Sequence, residues 1–122
     1  DVYKRQSLYK EDFNFESRKK EAIEVINRFP DRIPVIVERS TRCYDVPVID
    51  KRKYLVPKDI NIGQFLWTIR KRLKLDQSNA LFLFDEYGNV HQNTKLISIV
   101  YEECKNDDNF LYLQYSSENT FG

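Results

Sequence analysis

Methionine is absent from the 122 residues, histidine occurs once and cysteine twice. Without a start residue, Asp1-Val2-Tyr3-Lys4-Arg5-Gln6 is expected to be a remnant of expression or the edge of a longer chain, and residues 1–7 are set aside as a leader that is disordered or expression-derived. Cys43 and Cys104 lie far apart with no C-x-x-C spacing, which excludes a sequence-adjacent redox pair. His91 has no ligand neighbour along the chain, whereas a zinc site takes about four ligands. Both cysteines therefore read as reduced thiols of a cytosolic protein. No run of about 18 apolar residues and no secretory apolar core is present, so neither a membrane helix nor export is expected. Neither sign of charge dominates: 20 Lys+Arg stand against 19 Asp+Glu, a net +1. No global field then draws nucleic acid or anionic membrane, and any electrostatic function must be local. The acidic pairs Asp85-Glu86, Glu102-Glu103 and Asp107-Asp108 fall in turn-like or amphipathic stretches and read as solvated. No catalytic constellation is visible; the expectation is a protein that is not an enzyme, with no cofactor and no metal.

What is present suits one globular domain. Hydrophobic residues make up 41% and aromatic residues 14% of the chain, enough for a single core at this length. Leu8 to Asp12 is expected to form a short first turn. Asn14 is placed to cap a helix over 15–28, with Phe15, Ala22, Ile26 and Phe29 at helical spacing toward the core and Ile23 and Val25 outside that stripe. Pro30 and Asp31 end it. A buried strand is expected over 33–37, with Pro34 arguing for an edge or a strand start. A polar turn over 40–45 leads back into a second strand over 46–57, in which Lys53 and Leu55 share one face and Tyr54 and Val56 the other. Asn61 caps a second long helix whose Ile62, Phe65, Leu66, Ile69 and Leu73 form an apolar stripe. A short strand over 80–84 closes at Tyr87-Gly88-Asn89. Thr94 is expected to cap a short helix to Cys104, and residues 110–116 form the last strand. Removing the first helices leaves ββαβ(α)β, and the last strand must pair with the first, in parallel. The expected fold class is α+β: a ubiquitin-like β-grasp, a four-stranded mixed sheet with an added N-terminal helical segment.

The tail adds chemistry to this frame. Ser116-Ser117-Glu118-Asn119-Thr120-Phe121-Gly122 follows the apolar run over 110–115. A glycine carboxylate carries no Cβ, so it passes a channel too narrow for other residues. A short polar tail then delivers it away from the fold as a reacting group.

Four segments together resemble one family. They are Phe29-Pro-Asp-Arg-Ile-Pro-Val-Ile-Val-Glu38; Ile49-Asp-Lys-Arg-Lys-Tyr-Leu-Val-Pro57; Gly63-Gln-Phe65 with Ile69-Arg-Lys-Arg-Leu73; and Tyr115-Ser-Ser-Glu-Asn-Thr-Phe-Gly122. From Leu8 to Gly122 the chain resembles the autophagy-related protein eight family, ubiquitin-like modifiers that include the GABA-receptor-associated-protein group. The resemblance implies a ubiquitin-like domain over 8–116 and a flexible conjugation tail over 117–122, with Phe121 recognised by partner enzymes and Gly122 as the conjugated residue. It implies trimming and delipidation by a cysteine protease, transfer by activating and conjugating enzymes, and attachment to phosphatidylethanolamine. The implied location is the cytoplasm, and autophagosomal and vacuolar or lysosomal membranes once lipidated, with a monomer in solution and no nucleic acid bound.

It also implies that cargo receptors bind through aromatic-x-x-aliphatic peptides added as a strand beside residues 51–56. The aromatic pocket so implied is Glu21, Val25, Pro34, Ile36, Lys53, Leu55 and Phe110. The aliphatic pocket is Tyr54, Val56, Pro57, Ile60, Phe65 and Ile69, and Lys51, Arg32 and Arg72 would meet acidic flanks. A further surface for helical ubiquitin-interacting-type motifs would map to Phe82, Leu83 and Phe84. The chain departs from the family pattern at Thr68, at Tyr44 in a longer hairpin loop, at residues 89–93 without prolines, at Asn109 for a common glycine, and at Ser117. Two alternatives stand beside this reading: a β-grasp adaptor that is not conjugated, and a basic-patch protein binding microtubules, anionic lipid or RNA through Arg18-Lys19-Lys20 and Arg70-Lys71-Arg72.

Overall fold

In a computed structural model that describes residues 6–118, the chain builds α1 (Tyr9–Asp12), α2 (Phe15–Arg28), β1 (Arg32–Arg39), β2 (Lys53–Pro57), α3 (Ile62–Leu73), β3 (Phe82–Phe84), α4 (Ile97–Cys104) and β4 (Leu111–Ser116). Phe121, Gly122 and most of the expected leader lie outside the described residues. The sheet order is β2-β1-β4-β3. β1 pairs antiparallel with β2 and parallel with β4, the long-range pairing that the element order demands.

Alternation along the strands divides the sheet into two covered faces. Ile33, Val35 and Val37 of β1 and Leu111, Leu113 and Tyr115 of β4 join Val56, Phe65, Ile69, Ile97 and Val100 in the main core beneath α3 and α4. Ile36, Phe110 and Tyr112 face the other way and pack with Tyr9 and Ala22. The N-terminal helices thus roof the face opposite the grasped helix. Tyr9 fastens them, its N–H donating to buried Glu38 at 2.6 Å.

Helix ends follow local rules. Asn14 Oδ1 accepts from Ser17 N–H, and Asn61 exchanges bonds with Gln64 in a capping box. α3 stops at Lys74, whose φ of 59° is left-handed. Asn109 also turns left-handed, φ 73°, just before β4, and asparagine tolerates this region best after glycine.

Several elements differ from expectation, each for a physical reason. The second strand begins at Lys53 and not at Val46, because the groups before it bond elsewhere. Tyr115 Oη accepts from Ile49 N–H at 2.8 Å and donates to the Pro47 carbonyl at 2.6 Å, while Arg39 Nη1 donates to the Val46 carbonyl. Thr94 does not cap α4; Leu96 holds that position. Ile62 N–H bonds to Lys95 O and Ile97 N–H to Ile60 O, so residues 95–97 are tied to the start of α3 and the helix waits until Ile97.

On α2 the buried positions are Arg18 and Ala22, whereas Phe15 and Phe29 are exposed. The stripe is rotated because the turn before β4 presents buried Asp108 to it, whose Oδ2 accepts from Arg18 at 2.5 Å and from the Tyr112 hydroxyl. Asp108, read from sequence as solvated, is buried in a pair with Arg18. Pro34 sits in a central strand, yet near its start. Its missing N–H faces the β4 side, where pairing begins only at Val35.

Candidate functional site

β2 is an edge strand, and its ladder fixes which main-chain groups are free. Val37 N–H donates to the Arg52 carbonyl at 2.7 Å. Antiparallel alternation then turns Tyr54 and Val56 inward to β1 and leaves the N–H and C=O of Lys53 and Leu55 pointing outward. Arg32 Nη1 already donates to the Leu55 carbonyl at 3.1 Å, and that oxygen keeps a second lone pair.

The two sides of this edge are chemically distinct. On the side roofed by α2, Glu21, Val25, Arg32, Lys51, Lys53, Tyr54, Leu55 and Phe110 line one depression of about 490 Å³. Glu21 spans its rim, Oε2 accepting from Lys53 and Oε1 from the Tyr9 hydroxyl at 2.5 Å. Burial pushes the Glu21 carboxyl up, but the bonds from Lys53 and Tyr9 outweigh it and hold the group below the usual range. Of the residues expected in the aromatic pocket, five meet here. Ile36 is buried behind them with Phe110, and Pro34 lines a wider depression of about 600 Å³ at the far end of α2, with Ile23, Ile26, Pro30 and Ile99.

On the α3 side, Val56, Phe65 and Ile69 are buried in the main core, and half-buried Tyr54 and Ile60 pack against it. Tyr54 stands edge-on to Phe65 with ring centroids 5.6 Å apart. Its hydroxyl is buried without a hydrogen-bond partner among the described residues, and burial pushes its pKa up to about 12. The aliphatic set therefore surrounds β2's inner face, with Pro57 half-buried at its end. Beyond it, Ile60, Gly63, Gln64, Trp67 and Thr68 line a shallow surface on α3; Thr68 is spent on its own helix, Oγ1 donating to the Gln64 carbonyl.

The expected basic flank is unequal. Lys51 is exposed and lies over the Tyr54 ring. Arg72 is held by both carboxylate oxygens of Asp50, at 2.7 and 3.2 Å, and Arg70 Nη1 by the carbonyls of Asp76 and Asn79. Together with buried Arg18, this leaves the two basic runs less available than their sequence suggested. In the third expected surface, Leu83 and Phe84 are buried and Phe82 is half-buried.

One cluster was not legible in the sequence. His91, read as isolated, places Nε2 2.9 Å from Asp85 Oδ2 and 3.7 Å from Cys104 Sγ, and Cys104 Sγ is 3.4 Å from the same Asp85 oxygen. Asp85, read as solvated, is 2% exposed. Burial pushes its carboxyl up, but bonds from Asn89 N–H, His91, Tyr87 N–H and Cys104 together bring it below the usual range. No spacing motif announces this group; it needs the β3 turn and the end of α4 to be brought together.

Comparison with known proteins agrees with this fold. The family model described as "Autophagy protein Atg8 ubiquitin like" matches residues 17–122. Autophagy-related protein 8 of Mycosarcoma maydis is 50% identical over 118 residues, covering 96% of this chain and 98% of that protein. Autophagy-related protein 8e of Arabidopsis thaliana is 52% identical over 117 residues, covering 95% and 93%. The crystal structure of Trypanosoma brucei ATG8 superposes with a TM-score of 0.85 at 39% identity, covering 97% of this chain and all of that one. With its mixed sheet, grasped helix and N-terminal helices, the chain belongs to the Atg8 family of ubiquitin-like autophagy proteins.

Proposed function

We propose that this chain is a membrane-conjugated adaptor: Gly122 is joined to phosphatidylethanolamine, and the β2 edge captures aromatic-x-x-aliphatic peptides of cargo receptors. The observation that carries the peptide half is the free edge of β2 with a different apolar surface on each side. Side chains of an added strand alternate between faces. An aromatic residue and an aliphatic one three positions later therefore fall on opposite sides, one toward Val25, Leu55 and Phe110, the other toward Tyr54, Pro57 and Ile60. The outward N–H and C=O of Lys53 and Leu55 supply the ladder, and Arg32 and Lys51 suit acidic flanks.

Each filled pocket contributes roughly 1.5–3 kcal/mol against an association cost of several kcal/mol, which gives micromolar affinity for one motif. Many copies on one membrane raise it by avidity. The conjugation half rests on family membership, with the family match reaching Phe121 and Gly122. An amide to a two-chain lipid contributes roughly 0.8 kcal/mol per buried CH₂, enough to hold the domain on a bilayer. The activating and conjugating enzymes and the processing protease are the partners this requires, and autophagosomal membrane is the expected location.

Incubation with those enzymes, ATP and phosphatidylethanolamine liposomes should yield a lipidated band that Gly122→Ala abolishes; normal conjugation of the variant overturns that half. Titration of an aromatic-x-x-aliphatic peptide against wild type and Leu55→Ala tests the other: unchanged affinity would remove the edge assignment. Peptide binding by a chain that is never lipidated would favour the unconjugated adaptor.

A further inference from the structure

We propose that Asp85, His91 and Cys104 form a zinc site that clips the turn after β3 to the end of α4. Three different ligand types converge there on one point, with separations of 2.9 Å (His91 to Asp85), 3.4 Å (Cys104 to Asp85) and 3.7 Å (Cys104 to His91). A tetrahedral Zn²⁺ with ordinary Zn–N, Zn–O and Zn–S bonds holds its ligand atoms about 3.3–3.6 Å apart. Adjustments of a few tenths of an ångström, within side-chain torsions, seat the ion.

The surroundings favour it. Asp85 Oδ1 is already occupied by the N–H groups of Tyr87 and Asn89, at 2.8 and 3.0 Å, which aims Oδ2 at the other two ligands. The Asp85 carboxylate and a Cys104 thiolate balance the double charge of the ion inside a largely buried pocket. Imidazole with thiolate selects zinc over magnesium or calcium. His91 retains partial exposure, so water completes the fourth position and gives the ion a path in.

Binding has a defined proton balance. Burial first, then the neighbouring Asp85, push the Cys104 thiol up to about 11, so the metal-free thiol is protonated and its proton leaves as the Zn–S bond forms. In the zinc-bound state His91 gives the Nε2 lone pair to the ion and carries its ring proton on Nδ1. Lys95, 3.5 Å from Nδ1, then keeps only its bond to Glu103. The Cys104 thiol releases one proton per ion, and no electron is transferred.

The test uses the full chain with CoCl₂ and ZnCl₂. Cobalt should bind one equivalent with a thiolate-to-cobalt charge-transfer absorption, which zinc displaces, and zinc should raise the melting midpoint with its concentration. Cys104→Ser and His91→Gln should each abolish the band and weaken binding at least tenfold, while Cys43→Ser leaves both intact. If Cys104→Ser does not fold, His91→Gln, with its partly exposed side chain, decides alone. Absence of the band in the wild type, or a band that persists in His91→Gln, overturns the proposal.

Discussion

At the residue scale, Asn109 shows how one backbone angle is held by several bonds. Its φ of 73° is left-handed, its N–H bonds to the Asn106 carbonyl at 2.8 Å, and its own carbonyl accepts from the Tyr101 hydroxyl at 2.7 Å. An alanine at this angle costs roughly 1–2 kcal/mol; Asn109→Ala should lose about that much in urea denaturation, and Asn109→Gly much less. Glu38 offers a pH signature. Burial pushes its carboxyl above the ordinary range despite the N–H it accepts from Tyr9. The folded state then holds the proton more tightly than the unfolded chain, so ionisation at neutral pH weakens the fold and acidification relieves it. Glu38→Gln should raise the urea midpoint at neutral pH and lose that advantage below about pH 4, where glutamate is protonated in both states.

At the element scale, β2 is the part whose free bonds matter. Lys53 N–H points away from β1, so proline there removes no ladder bond within the sheet, yet it deletes a donor that an added peptide strand needs. Compared with Lys53→Ala, which controls for the loss of the Glu21 contact, Lys53→Pro should melt similarly. It should bind an aromatic-x-x-aliphatic peptide more weakly by about 0.5–1.5 kcal/mol, measured by calorimetric titration. Equal affinity for the two variants would mean that the peptide does not add as a strand at this edge. The helices themselves were readable from their signals: Asn14 and Asn61 cap where expected, and the Ile62, Phe65, Ile69 and Leu73 stripe is buried. Thr94 misled because long-range bonds to residues 60–62 override a local cap.

At the scale of the whole molecule, the sheet has two apolar faces and needs both covers. Ile36, Phe110 and Tyr112 lie under α1 and α2 with exposures of 0%, 1% and 4%. Deleting residues 1–28 uncovers them, strips Asp108 of Arg18, and removes Glu21 and Val25 from the peptide groove. The truncated chain should bind a hydrophobic dye, melt with reduced cooperativity in calorimetry and lose peptide affinity. Retention of a sharp transition and of peptide binding would show the roof to be dispensable.

Local periodicity and end signals sufficed for element type and order, because caps and apolar stripes act within a few residues and carry their own energetics. They reached the β-grasp, since ββαβ(α)β leaves the last strand little choice but to join the first. They also placed Lys53 and Leu55 opposite Tyr54 and Val56, since pleat alternation is a property of the strand alone. Burial of polar residues was beyond their reach. Arg18 pairs with Asp108 across 90 residues of chain, and Asp85, His91 and Cys104 converge from a strand end, a loop and a helix end. Such contacts cost desolvation that only the assembled fold offsets, and no spacing in the sequence encodes the distance at which two elements finally pack.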